Sequence, residues 1–87
     1  MNVLKEMKYG LRVVGRLEAQ RNGFTEVLVV DDPATDDLLF TCGAEIQRIT
    51  KSEMLDAAAN DTGPHLANKV REIVRGLTDM WPTEAGA

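Results

Sequence analysis

Four aspartates lie close together in a short segment between two apolar runs, DDPATDD at residues 31–37. Their carboxylate oxygens are ligands of the type that Ca²⁺ and Mg²⁺ prefer. The spacing does not fit an EF-hand loop, because no glycine stands at the sixth position of the segment and no glutamate at the twelfth. The sequence therefore predicts no metal ion and no other cofactor.

The same aspartates also suit a protein partner that has a basic surface. A charge run of this kind is most often a solvated loop whose charges keep a sheet edge from pairing with other chains. The functional alternative is a patch that binds a basic groove. This candidate patch consists of Asp31, Asp32, Asp36 and Asp37.

A second candidate contact lies at the end of the last segment with helical periodicity. Met80 and Trp81 end this segment and precede residues 82–87, PTEAGA, which contain no bulky apolar side chain. Tryptophan and methionine are enriched at the centres of protein interfaces. We therefore predict that Met80 and Trp81 contact a partner protein.

Basic residues are concentrated in the first part of the chain, although the net charge of the whole chain is −4. An acidic chain is a poor nucleic-acid binder, because phosphate contacts need a positive surface. No aromatic residues alternate with the basic ones, as a stacking surface for RNA would require. Nucleic-acid binding is the weaker alternative, and it would use Lys5, Lys8, Arg12, Arg16 and Arg21.

The single histidine and the single cysteine are not placed for catalysis. His65 follows Pro64 at the start of a predicted helix, and no serine or cysteine nucleophile lies beside it in sequence. Cys42 ends the apolar run LLFTC, which indicates a buried thiol that packs as a small hydrophobe. We expect no catalytic residue and hence a protein that is not an enzyme.

The length and composition predict one small soluble domain. Of the 87 residues, 44% are hydrophobic and 5% aromatic, so the core must consist mainly of aliphatic side chains. No apolar run reaches the about 18 residues that a membrane span needs, and the first residues do not resemble a signal peptide. We expect a cytoplasmic protein with a single domain over 1–81 and a flexible tail over 82–87.

The first third of the chain is compatible with two structures. Apolar and polar residues alternate over 11–19, which suggests a strand over 9–19. Asn22-Gly23 then precedes the apolar run FTEVLVV, and the whole pattern is typical of a β-hairpin. The alternative is a helix over 2–21 that Gly23 terminates. We favour the strand, because the helix would contain residues that are unfavourable in its interior or on its apolar stripe: Gly10, Gly15 and Glu18.

Two helices are predicted in the second half of the chain. Thr50 and Glu53 form the T-x-x-E pattern of a capping box, which predicts a helix over 51–59. Pro64 suits the first turn of a second helix over 64–80. Helical spacing is clearest in this second helix, whose apolar face comprises Leu66, Val70, Ile73, Val74, Leu77, Met80 and Trp81.

These elements predict an α+β fold. The expected architecture is a three- or four-stranded antiparallel sheet with two C-terminal helices: strands at about 9–19, 24–31, 38–42 and optionally 44–49, and helices at about 51–59 and 64–80. The alternative is an N-terminal helix over 2–21, a β-hairpin and two helices.

The function that these features favour is binding to another protein. We expect a small acidic regulator or inhibitor that acts through its acidic loop and its C-terminal helix, and a phage or mobile-element accessory or anti-defence protein would have this size and charge. The alternative is a structural subunit of an obligate homo-oligomer, such as a homodimer, because a small core gains stability from burial against a second copy.

Overall fold

The computed structural model describes residues 2–23 and 27–79, and for residue 79 it describes the backbone alone. Three helices and three strands follow one another along this part of the chain. In chain order they are α1 (Val3–Arg21), β1 (Leu28–Asp31), β2 (Leu38–Cys42), β3 (Glu45–Ile49), α2 (Lys51–Asn60) and α3 (Gly63–Asp79). The chain therefore has the predicted α+β fold. Some predictions concern residues outside the described ranges, namely Met80, Trp81, the tail over 82–87 and positions 24–26 of the first apolar strand.

The sheet is antiparallel, with β2 in the centre between β1 and β3. Its register brings two rows of three residues onto one face: Leu28, Thr41 and Ile46 in the first row, and Val30, Leu39 and Arg48 in the second. Successive side chains of a strand point to opposite faces, so Val29, Leu38 and Phe40 lie on the other face. We call the first the outer face and the second the inner face.

A single core joins the inner face to all three helices. Leu38, Phe40 and Ile49 of the sheet are fully buried in it. The helices contribute Leu11 and Ala19 from α1, Met54 and Ala57 from α2, and Leu66, Val70, Val74 and Leu77 from α3. Within the described ranges the helices therefore cover the inner face and leave the outer face open.

Residues 9–19 form the middle of α1, so the favoured strand over 9–19 is wrong and the alternative helix over 2–21 is correct. The helix begins after Asn2, whose side-chain oxygen accepts a hydrogen bond of 3.1 Å from a backbone N–H of the first turn. It ends before Gly23, whose φ of +74° glycine adopts without strain. The Asn-Gly pair thus terminates a helix and does not form a hairpin turn.

Two features that argued against this helix are explained by contacts with distant parts of the chain. Gly15 is buried, and a Cβ on this residue would lie 3.0 Å from Cε2 of Phe40. Glu18 is also buried, and its Oε2 accepts a hydrogen bond of 3.0 Å from Nε of Arg75 in α3. The glycine gives room to an aromatic ring and the acidic residue has a basic partner, so both are compatible with a packed helix.

The two later helices agree with their predicted positions within one residue at each end. The capping box is confirmed, since the Glu53 N–H donates to Thr50 Oγ1 at 3.1 Å and the Thr50 N–H donates to Glu53 Oε1 at 3.2 Å. The optional strand over 44–49 is present as β3. The sheet has three strands in the described residues, because the predicted strand 9–19 is part of α1.

Candidate functional site

The acidic segment is divided into two groups of charges at one end of the sheet. On the inner side, Nζ of Lys8 lies 3.3 Å from Asp31 and 3.0 Å from Asp36. Nη2 of Arg12 lies 3.2 Å from the second oxygen of Asp31. Both basic residues belong to α1, so this inner group ties α1 to the segment that joins β1 and β2.

The buried lysine of this inner group is held in its charged form. Burial by itself lowers the pKa of Lys8, but the hydrogen bonds and charges of Asp36 and Asp31 outweigh it and raise the pKa above its ordinary value. The two aspartates are about half exposed, so one side of the group faces solvent.

On the outer side, Asp37 joins β2 to the start of α2. Its Oδ1 accepts a hydrogen bond of 2.8 Å from the backbone N–H of Lys51, and its Oδ2 lies 2.9 Å from Nη1 of Arg48. Asp32 lies 3.8 Å from the same Arg48 nitrogen. The Lys51 N–H is the largest cause of a lowered pKa of Asp37, with Arg48 adding to it against the opposing effect of burial. A carboxylate at a helix N-terminus is also favoured by the helix dipole.

Each of the four aspartates of the candidate patch thus has a partner within the chain. Asp32 Oδ1 also accepts the Ala34 N–H at 3.0 Å, and Asp36 adopts a left-handed φ of 67°, so local bonding fixes the turn. Among the described residues, no group of three or more His, Cys, Asp or Glu is arranged to hold a metal ion. Three basic side chains offset most of the charge of the turn, so a partner would have to compete with existing ion pairs.

The five basic residues of the weaker alternative are not brought together as one surface. Lys8 is buried, and both Lys8 and Arg12 are occupied by aspartates. Lys5, Arg16 and Arg21 are exposed. At about 100° per residue, Arg21 lies about 140° around the helix from Arg16. The arrangement does not form the continuous positive stripe that a nucleic-acid backbone requires.

The structure separates the single histidine, on the surface, from the single cysteine, in the core. His65 is exposed in the first turn of α3, and its ring has no hydrogen bond or ion pair within the described residues. Cys42 is buried in the core at the end of β2, as predicted.

The outer face of the sheet is the largest feature that sequence analysis missed. Leu28 is 60% exposed, Val30 43% and Ile46 56%, although all three lie in regular strands. Leu39 and Thr41 between them are partly exposed. A signal was present in the sequence, since the runs VLVV and LLF place apolar residues on both faces of a strand, which is typical of sheets covered on both sides.

A second apolar stripe lies on α1. Tyr9, Val13 and Leu17 recur every four residues and are exposed by 69%, 39% and 54%. Helical periodicity places them opposite the buried side of α1, which carries Leu11 and Gly15. This stripe therefore points away from the sheet and is not continuous with its outer face.

Comparison with protein-family models, curated proteins and solved structures gives no match to this chain. Within the described residues no helix has the length and apolar character needed to cross a membrane. Among the described residues, the outer face of the sheet and the stripe on α1 are the two surfaces that expose several large apolar side chains.

Proposed function

We propose that this chain is a non-enzymatic protein-interaction module and that it contacts its partner through the outer face of its sheet. The observation that supports the proposal is the exposure of Leu28, Val30 and Ile46 on one side of a regular sheet. Antiparallel sheets usually place polar residues on a face that meets water. An apolar face in that position is typical of a surface that a partner covers.

The charge distribution favours this face over the acidic turn. The one charged residue in the two rows of the outer face is Arg48, and its guanidinium already pairs with Asp37 and Asp32. A partner can cover the face without leaving an unpaired charge, which would be costly. A partner of the acidic turn would instead have to displace Lys8 or Arg12 from Asp31 and Asp36.

That the chain regulates or inhibits another protein remains a separate proposal, which does not depend on the outer face. A chain of 87 residues with one small core can act by occupying a surface of another protein. A contact through the acidic turn would be separate from the outer face, because Asp31 and Asp36 pair with Lys8 on the α1 side of the sheet. Origin in a phage or mobile element stays a prediction.

Charge substitution on the outer face tests the proposal. The full chain is used to capture partners from a lysate of its source cells, and Ile46→Lys is compared with Val13→Lys. Both replaced side chains are exposed and apolar, but Val13 lies on α1 and Ile46 on the outer face. We expect capture to be lost with Ile46→Lys and retained with Val13→Lys, while both melting temperatures stay near that of the unmodified chain.

A third variant separates the acidic turn from the sheet. Asp31→Asn combined with Asp36→Asn removes the two most exposed carboxylates of the turn. Capture that survives Ile46→Lys but fails with the double asparagine variant, at a temperature where that variant is still folded, would assign the contact to the acidic turn and reject the outer face.

A further inference from the structure

We infer that the partner of the outer face is a second copy of this chain, packed sheet against sheet about a two-fold axis parallel to β2. The inference rests on the proposed function of that face. It follows from how the residues of the face are distributed over the three strands.

The first row of the outer face is suited to self-pairing. Leu28 and Ile46 are its two large exposed residues, and they lie on opposite edge strands with Thr41 of β2 between them. A two-fold axis parallel to β2, midway between two copies, places β1 of one copy over β3 of the other. Leu28 then packs on Ile46 of the second copy, twice, and the small Thr41 side chains meet in the centre.

The second row obeys the same symmetry. Val30 of β1 packs over Arg48 of the second copy, and Leu39 meets Leu39. The aliphatic stem of an arginine covers apolar surface well while its charged end stays solvated. The guanidinium of Arg48 keeps its pairing with Asp37 at 2.9 Å, so it does not need to be desolvated without a partner.

Charge also permits two copies to meet in this way. The chain carries a net charge of −4, yet the acidic side chains of the turn lie at one end of the sheet and not within the two rows. Two outer faces therefore approach each other with no carboxylate opposed to a carboxylate in these rows. A strongly charged partner would find no complementary charges there.

The dimensions of the face limit the area that a dimer can bury. Strands about 4.8 Å apart and about 3.4 Å per residue give a three-stranded face of about 14 Å by about 17 Å. This is small compared with a standard interface, which buries about 800 Å² per partner. We therefore expect a weak, reversible dimer that forms only at high protein concentration, and not an obligate one.

Paired charge variants test the dimer and its symmetry. Sedimentation velocity of the full chain is measured from low micromolar to several hundred micromolar concentration. Leu28→Glu and Ile46→Lys should each weaken the dimer by about tenfold or more, because each buries a charge against an aliphatic side chain. Mixing the two variants should restore dimers, since one Leu28 contact then becomes a Glu–Lys pair and the other keeps its original residues.

Three outcomes would overturn the inference. A monomer at every concentration would remove the dimer, while loss of partner capture in Ile46→Lys would still support the proposed function of the face. A dimer that Val13→Lys dissociates and Ile46→Lys does not would move the interface to α1. If the mixed variants do not pair, the proposed symmetry is rejected. A dimer formed through the strand edges, for example, would not bring Leu28 of one copy against Ile46 of the other.

Discussion

Gly15 of α1 lies directly against the ring of Phe40 in β2, so that a Cβ at position 15 would be 3.0 Å from Cε2 of the ring. Phe40 is completely buried and cannot move into solvent. This close approach sets the distance between α1 and the sheet, and it explains why a helix contains a glycine that its propensity disfavours.

Alanine substitutions at two glycines of α1 should have opposite effects. Gly15→Ala gains helix propensity of up to about 1 kcal/mol but forces Phe40 or the helix to shift, which costs about 1–3 kcal/mol, so we expect net destabilisation. Gly10→Ala is the matched control, because nothing lies within 4 Å of its Cβ position, and it should stabilise the chain by about 0.5–1 kcal/mol. Urea unfolding measures both. Equal stabilisation by the two would contradict the packing described here.

The pair of Glu18 and Arg75 should contribute to stability through the buried carboxylate. Arg75→Gln removes the charged hydrogen-bond donor of Glu18, whose side chain is almost fully buried. We expect a loss of about 1–3 kcal/mol in the free energy of unfolding. Glu18→Gln combined with Arg75→Gln should recover part of this loss, because no buried charge remains.

Arg71 provides the control for this pair. It also lies on α3, and its guanidinium donates only to Asn68 among the described residues. Arg71→Gln should change the free energy of unfolding by less than about 0.5 kcal/mol. A loss as large as that of Arg75→Gln would indicate a general charge effect and not the specific contact with Glu18.

Stability should fall in acid because of Asp37. Its pKa is lower in the folded chain than the ordinary value of 3.8, chiefly because of the Lys51 N–H, so ionisation of Asp37 favours the folded state. The stabilisation is present above pH 3.8 and is lost as the pH falls through the lowered pKa. Glu53 acts in the same direction, since Lys69 and the Thr50 N–H lower its pKa.

Melting temperatures between neutral pH and about pH 2.5 measure this effect. Asp37→Asn should be less stable than the unmodified chain at neutral pH and should lose less stability on acidification. Glu72→Gln is the control, because Glu72 is exposed on α3 and forms no ion pair within the described residues. If the difference between Asp37→Asn and the unmodified chain does not narrow in acid, the carboxylate does not have the role assigned to it.

Lys8 should connect α1 to the acidic turn. Lys8→Met keeps the buried stem but removes the cation between Asp31 and Asp36. We expect the free energy of unfolding to fall by about 1–2 kcal/mol. Breaking a fully buried ion pair costs about 3–5 kcal/mol, and the expected cost is smaller here because both aspartates are half exposed. Lys5→Met, one turn earlier and exposed, should be nearly neutral. Hydrogen exchange of residues 31–37 should accelerate in Lys8→Met alone.

Local sequence signals were sufficient to predict most of the elements that follow α1. The capping box of Thr50 and Glu53 defines the start of α2, and apolar residues at helical spacing define α3. The apolar run over 38–42 predicts β2 with its observed bounds. Such signals involve residues a few positions apart, so no knowledge of the rest of the fold is needed.

The tertiary structure decided whether the first third of the chain forms a strand or a helix. It also decided which charged side chains form ion pairs. The sequence by itself showed that 9–19 was either strand or helix, and it showed that four aspartates were close together. Only folding brings Phe40 to Gly15, Arg75 to Glu18, and Lys8 to Asp36. These contacts join positions far apart in the chain, and no local pattern encodes them.

The exposure of the outer face also depends on the tertiary structure. Apolar residues on both faces of β1 and β2 were visible in the sequence, but which face the helices would cover was not. Strand register and helix packing together decide it, because a shift of one residue exchanges the two faces. The sequence thus placed apolar residues on both faces of β1 and β2, and the tertiary structure determined which face the helices leave exposed.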